Sequence, residues 1–318
     1  MKGLVIKCPR NIFTVKKMDN SDYPQSNIFY ECRIKGKVLK TEKRCYNPLA
    51  PGDIVDFEES ARGKGMILAL EPRRNLFKRF NRKGRMTQIL AANIDQVICV
   101  TSPAQPPFRP RFIDRVLVQA EASGVNAIIV LNKSDCIDAD YQENGIAGRL
   151  ADYQRIGYKL ITVSAKSGEG IEELRSLVRK RLSVFTGQSG VGKSSLINIL
   201  LPNAQRRTGA LNEKYNRGNH ITVLSELLES GTEEAIYIID TPGVRQLVPD
   251  GFAAEDTALY MKEFAYPALQ CAFGLSCTHT NEAGCSIRDS VESGTIHPDR
   301  YESYRRIRIE LLDKESYT

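Results

Sequence analysis

Long apolar stretches are absent from this sequence: no run of 18 consecutive apolar residues occurs, and no signal peptide is recognisable. A helix that spans a bilayer needs about 20 predominantly apolar residues, so we expect a protein that neither crosses a membrane nor is secreted. Long internal repeats and low-complexity blocks are also missing. What remains is a chain of 318 residues, which is enough for two or three domains with a sizeable core.

Closely spaced cysteines are scarce over most of the chain. Five of the eight cysteines stand singly, at Cys8, Cys32, Cys45, Cys99 and Cys136. Isolated cysteines suit a reducing compartment better than a disulfide framework. We therefore expect a cytoplasmic protein.

The most specific motif is the GxxxxGK[ST] phosphate loop at residues 187–195, between a predicted strand at 183–186 and a predicted helix at 193–201. Its glycines let backbone N–H groups converge on phosphate oxygens at a helix N-terminus. Lys193 is expected to reach the β- and γ-phosphates, and Ser194 to bind Mg²⁺. A chance glycine-rich turn is the alternative, but the flanking strand and helix favour a true phosphate loop. The predicted phosphate-binding residues are Gly187, Gln188, Ser189, Gly190, Val191, Gly192, Lys193, Ser194 and Ser195.

Two further motifs predict recognition of guanine. An NKxD sequence follows the apolar strand predicted at residues 127–131, and a Ser-Ala-Lys sequence follows the strand predicted at 159–163. A carboxylate at Asp135 would accept from guanine N1–H and N2–H₂, a donor pair that adenine lacks, which disfavours a P-loop ATPase. Both motifs follow the carboxyl ends of strands, where open α/β sheets bind ligands. The predicted base-binding residues are Asn132, Lys133, Ser134, Asp135, Ser164, Ala165 and Lys166.

A DxxG motif at residues 240–243 follows the strand predicted at 235–239. Asp240 is expected to join the Mg²⁺ shell and Gly243 to offer its N–H to the γ-phosphate. The base-recognition motifs here precede the phosphate loop, whereas ordinary GTPases have the opposite order, so the sequence predicts a circular permutation. Relinking adjacent termini keeps the same packed sheet, which makes the permutation physically tolerable.

The motifs NKxD, SAK, GxxxxGKSS and DTPG, in this order, resemble the circularly permuted, ribosome small-subunit-dependent GTPases of the RsgA family, over nearly the whole chain. The resemblance implies Mg²⁺-dependent hydrolysis of GTP to GDP and phosphate during late maturation of the small (30S) ribosomal subunit. It also implies an N-terminal OB-fold that contacts 16S ribosomal RNA. We expect a monomer. The alternative is a nucleotide-sensing, RNA-binding scaffold whose hydrolysis is incidental.

The polar segment 206–222 is typical of a switch, and its end resembles the family's G-x-H-T-T segment, with Ile221 in place of the first threonine. Thr222 remains to contact Mg²⁺ and the γ-phosphate. Val244 stands where many GTPases have a water-orienting glutamine, so His220 is the candidate for positioning the attacking water. The alternative for His220 is a solvated loop histidine. The predicted catalytic residues are His220, Lys193, Thr222 and Gly243, and the predicted magnesium ligands are Ser194, Thr222 and Asp240.

Positive charge is concentrated at the N-terminus. Residues 1–90 hold 20 of the 45 Lys and Arg residues but 9 of the 38 Asp and Glu residues, a surplus of 11 positive charges. Short strands are predicted there at residues 4–8, 12–16, 28–34, 37–40, 53–57 and 65–70. This series favours a small closed barrel, and a basic OB-fold barrel suits a nucleic-acid groove, although a solubilising basic surface is the alternative. Residues 73–85 predict a basic linker, either a hinge or another RNA contact.

Three cysteines and one of the three histidines fall within fifteen residues near the C-terminus: Cys271, Cys277, His279 and Cys285. This set predicts one closed, structural, tetrahedral Zn²⁺ site, with a buried thiol cluster as the alternative. A helix is predicted from residue 299 to about 313. The predicted architecture is multi-domain α/β: a β-barrel at 1–80, a central permuted P-loop GTPase domain at 81–250, and a mainly helical zinc-binding module at 251–318.

Overall fold

The alternation of apolar and polar residues near the N-terminus produces a closed five-stranded barrel in the computed structural model of the chain. Its strands are β1 (Lys2–Lys7), β2 (Phe13–Lys17), β3 (Phe29–Ile34), β4 (Ile54–Ala61) and β5 (Lys64–Leu70). The order β1-β2-β3-β5-β4 closes because β4 also pairs with β1. Val5, Val15, Cys32 and Phe57 share the barrel core. The predicted barrel is confirmed.

The structure describes residues 1–9, 11–19, 27–36, 39, 45–137, 141, 145–202, 225–230, 235–241 and 247–315. The strand predicted at residues 37–40 lies largely outside the described residues. Of the helices in those ranges, none combines the length and the apolar character needed to cross a membrane.

The prediction of a linker at residues 73–85 is wrong, because most of this segment belongs to a β-hairpin. Strand β6 (Leu76–Asn81) pairs antiparallel with β7 (Met86–Ala92). The Asn81 carboxamide oxygen accepts from the backbone N–H groups of Lys83 and Gly84 and so holds the turn. The many cations leave no clear strand periodicity in this part of the sequence. Phe77 is nevertheless fully buried and anchors the hairpin in the core. The hairpin also spans residue 80, at which the sequence predicts the end of the barrel domain.

The central sheet contains β8 (Gln96–Thr101), β9 (Asn126–Leu131), β10 (Lys159–Thr162), β11 (Leu182–Gly187), β12 (Glu226–Glu229) and β13 (Tyr237–Asp240). Their order is β10-β9-β8-β11-β13-β12. The first five strands run parallel, and β12 runs antiparallel to β13. Nearly continuous apolar runs such as those of β8 and β9 are expected of parallel strands covered on both faces.

Helices cover both faces of this sheet. They are α1 (Pro110–Ala122), α2 (Ile146–Arg155), α3 (Ile171–Val178) and α4 (Lys193–Leu200). Cys99 of β8 packs in one core cluster with α1 and α2, whereas the adjacent Val100 packs in another with α3 and α4. The predicted central α/β domain is confirmed, and its sheet is covered by helices on both faces.

The C-terminal region is mainly helical, as predicted. It contains a 3₁₀ helix (Ala254–Tyr260), α5 (Lys262–Ala268), a short 3₁₀ turn (Gly274–Ser276), α6 (Ser286–Glu292) and α7 (Pro298–Glu315). Phe264 and Tyr304 form its core together with the three cysteines. The module packs on α1 through a buried polar cluster, in which Arg300 bridges Asp114 of α1 and Glu263 of α5.

Candidate nucleotide site and metal centre

The phosphate loop connects β11 to α4 at the carboxyl edge of the sheet. Gly190 and Gly192 both have φ near +88°, a left-handed conformation that favours glycine. A Cβ on Gly192 would also lie 2.2 Å from the Asn132 amide nitrogen, and one on Gly187 would lie 2.6 Å from the Val100 carbonyl oxygen. Gly192 therefore requires glycine for both conformation and space, Gly190 for conformation, and Gly187 for space. Ser189 and Gly190 in the loop, and Ser194 and Ser195 in the first turn of α4, are exposed.

Asn132 is buried and uses both ends of its carboxamide within the protein. Its nitrogen donates to the Val191 carbonyl in the phosphate loop at 2.8 Å, and its oxygen accepts from the Ala165 backbone N–H at 3.1 Å. The sequence predicts Asn132 as a base-binding residue, and these bonds show that its carboxamide also fixes the positions of two neighbouring loops. The phosphate loop and both base-recognition motifs are thereby brought together.

Asp135 and Ser164 form the polar pair of the predicted base pocket. The Ser164 hydroxyl donates to one Asp135 carboxylate oxygen at 2.6 Å, and this hydrogen bond lowers the pKa of the Asp135 carboxyl. The Lys166 ammonium lies 3.7 Å from the other oxygen. The same Ser164 hydroxyl oxygen accepts from the backbone N–H groups of Lys166 and Ser167. Asp135 is therefore held as an ionised acceptor, the state needed to receive two guanine N–H groups.

The remaining residues of the NKxD motif are also anchored. Lys133 has a left-handed backbone with φ of 68°, and its ammonium donates to the Gln105 carbonyl at 2.5 Å. The Ser134 hydroxyl donates to Glu169 at 2.7 Å. Glu169 is not among the predicted site residues. It lies 35 residues from Ser134 in the chain, so no local sequence pattern relates the two. These contacts hold the motif in one conformation beside the sheet edge.

Lys193 and Asp240 form an ion pair at the centre of the site. Lys193 starts α4 and is buried, whereas Asp240 ends β13 and is partly exposed. The next residue, Thr241, is fixed because its hydroxyl donates to the Phe185 carbonyl of β11 at 2.8 Å. Lys193, the lysine predicted to contact the phosphates, and Asp240, the carboxylate predicted to bind Mg²⁺, are therefore adjacent. His220, Thr222 and Gly243, and with them Val244, lie outside the described residues.

The four predicted zinc ligands form a compact, buried cluster. Their ligand atoms all lie within 4.8 Å of one another. The His279 Nδ1 atom is 3.4 Å from the Cys271 sulfur and 3.5 Å from the Cys285 sulfur, and those two sulfurs are 3.9 Å apart. A tetrahedral zinc with bonds of about 2.3 Å to sulfur and about 2.0 Å to nitrogen separates two sulfurs by about 3.8 Å and sulfur from nitrogen by about 3.5 Å. The donor set and its spacing fit a Cys₃His zinc site.

The electrostatics of the cluster also fit a cation. Burial raises the pKa of the Cys277 thiol to about 12. Burial also raises the pKa of the Cys285 thiol and lowers the pKa of the His279 imidazole, so these groups favour their uncharged forms unless a cation displaces the thiol protons. Zinc binding requires that displacement and is consequently pH-dependent.

Several residues that the motif does not include hold the ligand loop. Tyr301 and Tyr304 lie three residues apart on α7, and their hydroxyls donate to the carbonyls of His279 and Thr278. Although burial opposes its ionisation, hydrogen bonds from Thr278 and nearby backbone N–H groups lower the pKa of Glu282 to about 2. The sequence shows that the two tyrosines have helical spacing, but it does not show which carbonyl groups accept their hydrogen bonds.

A phosphate loop, a guanine-type pocket and a DxxG carboxylate meet at the carboxyl ends of parallel strands, with the base motifs first in the chain. Fold and site together define a circularly permuted P-loop GTPase. The chain belongs to the RsgA GTPase family, whose family model matches residues 70–248.

Two curated relatives are both described as "Small ribosomal subunit biogenesis GTPase RsgA". The one from Borrelia garinii subsp. bavariensis is 37% identical over 311 residues, which cover 96% of this chain and 95% of the relative. The one from Chlorobaculum parvum is 41% identical over 282 residues, which cover 86% and 87% of the two chains. The resemblance predicted from the motifs is confirmed.

Two solved structures share the fold over almost the full length. YjeQ from Thermotoga maritima has a TM-score of 0.71 and 30% identity, and the match covers 98% of each chain. YloQ, described as a circularly permuted GTPase, has a TM-score of 0.69 and 27% identity, covering 98% of this chain and 95% of that one.

Proposed function

We propose that this GTPase binds the small ribosomal subunit and hydrolyses GTP to GDP and phosphate during late maturation of that subunit. The observation that carries the nucleotide assignment is the Asp135 carboxylate, kept ionised by Ser164 and tied through Asn132 to the phosphate loop. The names of the curated relatives support the ribosomal role. Subunit assembly takes place in the cytoplasm, where we expect the protein to act as a monomer.

Within the site, Asp135 receives the guanine N–H groups, and the phosphate loop surrounds the phosphates. The Lys193 ammonium neutralises charge that develops on the γ-phosphate in the transition state. Ser194, Thr222 and Asp240 would hold Mg²⁺, which supplies charge neutralisation at the β- and γ-phosphates. Gly243 would offer its N–H to the γ-phosphate, and His220 would orient the attacking water.

Outside the nucleotide site, the basic barrel would contact 16S ribosomal RNA, because Lys and Arg contacts to phosphates release counterions. The Cys₃His cluster would hold one structural Zn²⁺ and so stabilise a C-terminal module whose ligand loop has little core of its own.

The test compares GTP turnover by the purified protein with and without small ribosomal subunits. Because Val244 cannot orient water as glutamine does, slow intrinsic turnover and stimulation by a factor of about 10³ or more are expected. His220→Ala should lose most of the stimulated rate and keep GTP and subunit binding, and Asp135→Asn should shift preference towards xanthine nucleotides. A wild-type protein that subunits bind but fail to stimulate would favour the RNA-binding scaffold instead.

A further inference from the structure

The barrel is joined directly to the strand that lies between the two predicted switch segments. Strand β12 begins at Glu226, four residues after Thr222, and the neighbouring strand β13 ends at Asp240, the first residue of the DxxG motif. On its other side, β12 pairs antiparallel with β1 of the barrel, with Lys7 opposite Glu226. Any displacement of β12 is therefore passed to two predicted magnesium ligands: Thr222, which precedes β12 in the chain, and Asp240, which ends the neighbouring strand.

Two lysines of the barrel form ion pairs with β12. The Lys7 ammonium lies 3.1 Å from a Glu226 oxygen, and both side chains are about one-third exposed. The Lys16 ammonium lies 2.5 and 2.6 Å from the two carboxylate oxygens of Glu229. Lys16 is almost completely buried, with 3% of its side chain exposed.

Burial decides which of the two pairs fixes the joint. A partly exposed pair such as Lys7 with Glu226 contributes little, because solvent screens it. In the second pair Lys16 is 3% exposed and Glu229 is 23% exposed, so solvent screens this pair less than the first. Removal of Glu229 would leave the buried Lys16 ammonium without compensation, which is costly. The contact between Lys16 and Glu229 therefore holds β12 more strictly than the first pair.

Apolar packing continues across the same joint. Leu4 and Ile6 of β1 belong to one buried cluster with Leu227 of β12 and Ile239 of β13. Close-packed interiors transmit displacement instead of absorbing it. The barrel and the β12–β13 pair therefore form one packed unit.

This packed unit reaches the phosphate loop by a short route. Glu226 lies directly opposite Asp240 in the β12–β13 ladder, and Asp240 is paired with Lys193. Glu229, the partner of Lys16, lies opposite Tyr237, three residues before Asp240 on β13. The joint fixed by Lys16 and Glu229 therefore reaches Asp240 along β13, and it reaches the phosphate loop through the ion pair of Asp240 with Lys193.

On the basis of the proposed function, we propose that Lys16 and Glu229 are positioning residues for stimulated GTP hydrolysis. They fix β12 to the barrel, so that a small subunit bound by the barrel acts through β12 and β13 on Asp240 and the phosphate loop. The competing explanation is that the pair only attaches the barrel to the central domain. In that case its loss would weaken subunit binding or folding and would leave the stimulated rate at saturation unchanged.

The experiment measures GTP turnover of Lys16→Met at saturating small subunits, together with intrinsic turnover and the dissociation constants for GTP and subunits. We expect a drop of about tenfold in stimulated kcat, the size of coupling effects carried by contact networks, with the other three quantities unchanged. Lys35→Met is the matched control, because Lys35 is an exposed lysine of the barrel domain and its partner, Glu58, is an exposed residue of the same domain. Glu229→Gln keeps the shape of the side chain and serves as the second variant. If Lys16→Met fails to fold, the same drop in stimulated kcat is expected in Glu229→Gln.

Charge exchange separates a directed ion pair from general packing. Lys16→Glu alone should reduce the stimulated kcat, and the double variant Lys16→Glu with Glu229→Lys should restore much of it. Full stimulated turnover in Lys16→Met and Glu229→Gln, or a loss that appears equally in intrinsic turnover, would overturn the inference. A wild-type protein that subunits do not stimulate would overturn the proposed function itself, and this inference with it.

Discussion

Asn132 donates a hydrogen bond to the carbonyl of Val191, 2.8 Å away, and so joins the base-recognition loop to the phosphate loop across 59 residues of sequence. Its carboxamide oxygen accepts from the Ala165 backbone N–H in the second base-recognition loop. One buried amide therefore sets the distance between the parts of the site that receive the base and the phosphates. Gly192 leaves room for this amide, because any Cβ there would clash with it.

Asn132→Ala should weaken binding of both GTP and GDP by about tenfold to a hundredfold. The reason is that the buried Val191 carbonyl is left without a donor, which costs about 1–3 kcal/mol, and that the two loops lose their common attachment. Fluorescence titration with a labelled guanine nucleotide measures the effect. Asn126→Ala is the control, because Asn126 is an exposed asparagine at the other end of the same strand. Equal affinities of Asn132→Ala and wild type would show that the amide has no positioning role.

A pH dependence is expected from the pair of Ser164 and Asp135. The Ser164 hydrogen bond lowers the pKa of the Asp135 carboxyl, so Asp135 stays ionised, and able to accept from guanine, as the pH falls. In Ser164→Ala this pKa rises towards its ordinary value, and the loss of GDP affinity on acidification should begin at a higher pH than in wild type. Protonation of the GDP phosphates affects both proteins equally and cancels in the comparison.

The measurement is the GDP dissociation constant of both proteins from pH 7 to about pH 3.5, a range that includes the ordinary titration region of an aspartate carboxyl. Ser167→Ala is the matched control, since Ser167 lies in the same loop and its hydroxyl accepts only a long 3.4 Å bond from the Glu169 N–H. Parallel pH curves for wild type and Ser164→Ala would contradict the assigned cause of the shift.

The strands and loops of the nucleotide site could be predicted because each is a local pattern. Apolar runs ending in motif residues identify parallel strands, and the observed β9 to β11 differ from their predicted bounds by at most one residue at either end. The hairpin around Phe77 could not be predicted because Leu76, Phe77 and Phe80 do not follow the period of two that indicates a strand. Strand β6 becomes recognisable only through its pairing with β7 and the burial of Phe77.

Contacts between distant segments could not be predicted from the sequence. Arg300 and Asp114 are 186 residues apart, and no local spacing relates them. The same holds for Lys16 with Glu229, whose partnership depends on how the barrel docks on β12. Motifs therefore supplied the candidate site residues, whereas the contacts that hold the described candidates in place required the fold.

Purified protein should contain one tightly bound zinc per chain, and Cys277→Ser should lose it. Replacing one of three thiolates by a hydroxyl removes a ligand from a closed Cys₃His set, and zinc binding then stabilises the module less. Elemental analysis of protein prepared without chelator gives the zinc content. Cys136→Ser is the control, because Cys136 is exposed and lies outside the cluster. A full zinc complement in Cys277→Ser, or none in wild type, would refute the site.

Arg300 tests how the C-terminal module is attached to the GTPase domain. Its guanidinium is fully buried and lies 2.9 Å from Asp114 of α1 and 2.9 Å from a Glu263 oxygen of α5. Arg300→Met would leave buried carboxylates without this partner, and breaking such a cluster costs about 3–5 kcal/mol. The free energy of unfolding should fall by that order, while GTP binding by the folded protein persists. Arg306→Met, which removes an exposed arginine paired with Glu302 on the same helix, should change it little.

A second substitution distinguishes lost charge compensation from lost packing. If Arg300→Met destabilises the protein because the buried Asp114 carboxylate loses a cation, then adding Asp114→Asn to Arg300→Met should recover part of the lost stability. Urea unfolding of wild type, both single variants and the double variant at one pH measures this coupling. Losses that simply add in the double variant would mean that Arg300 acts through packing alone.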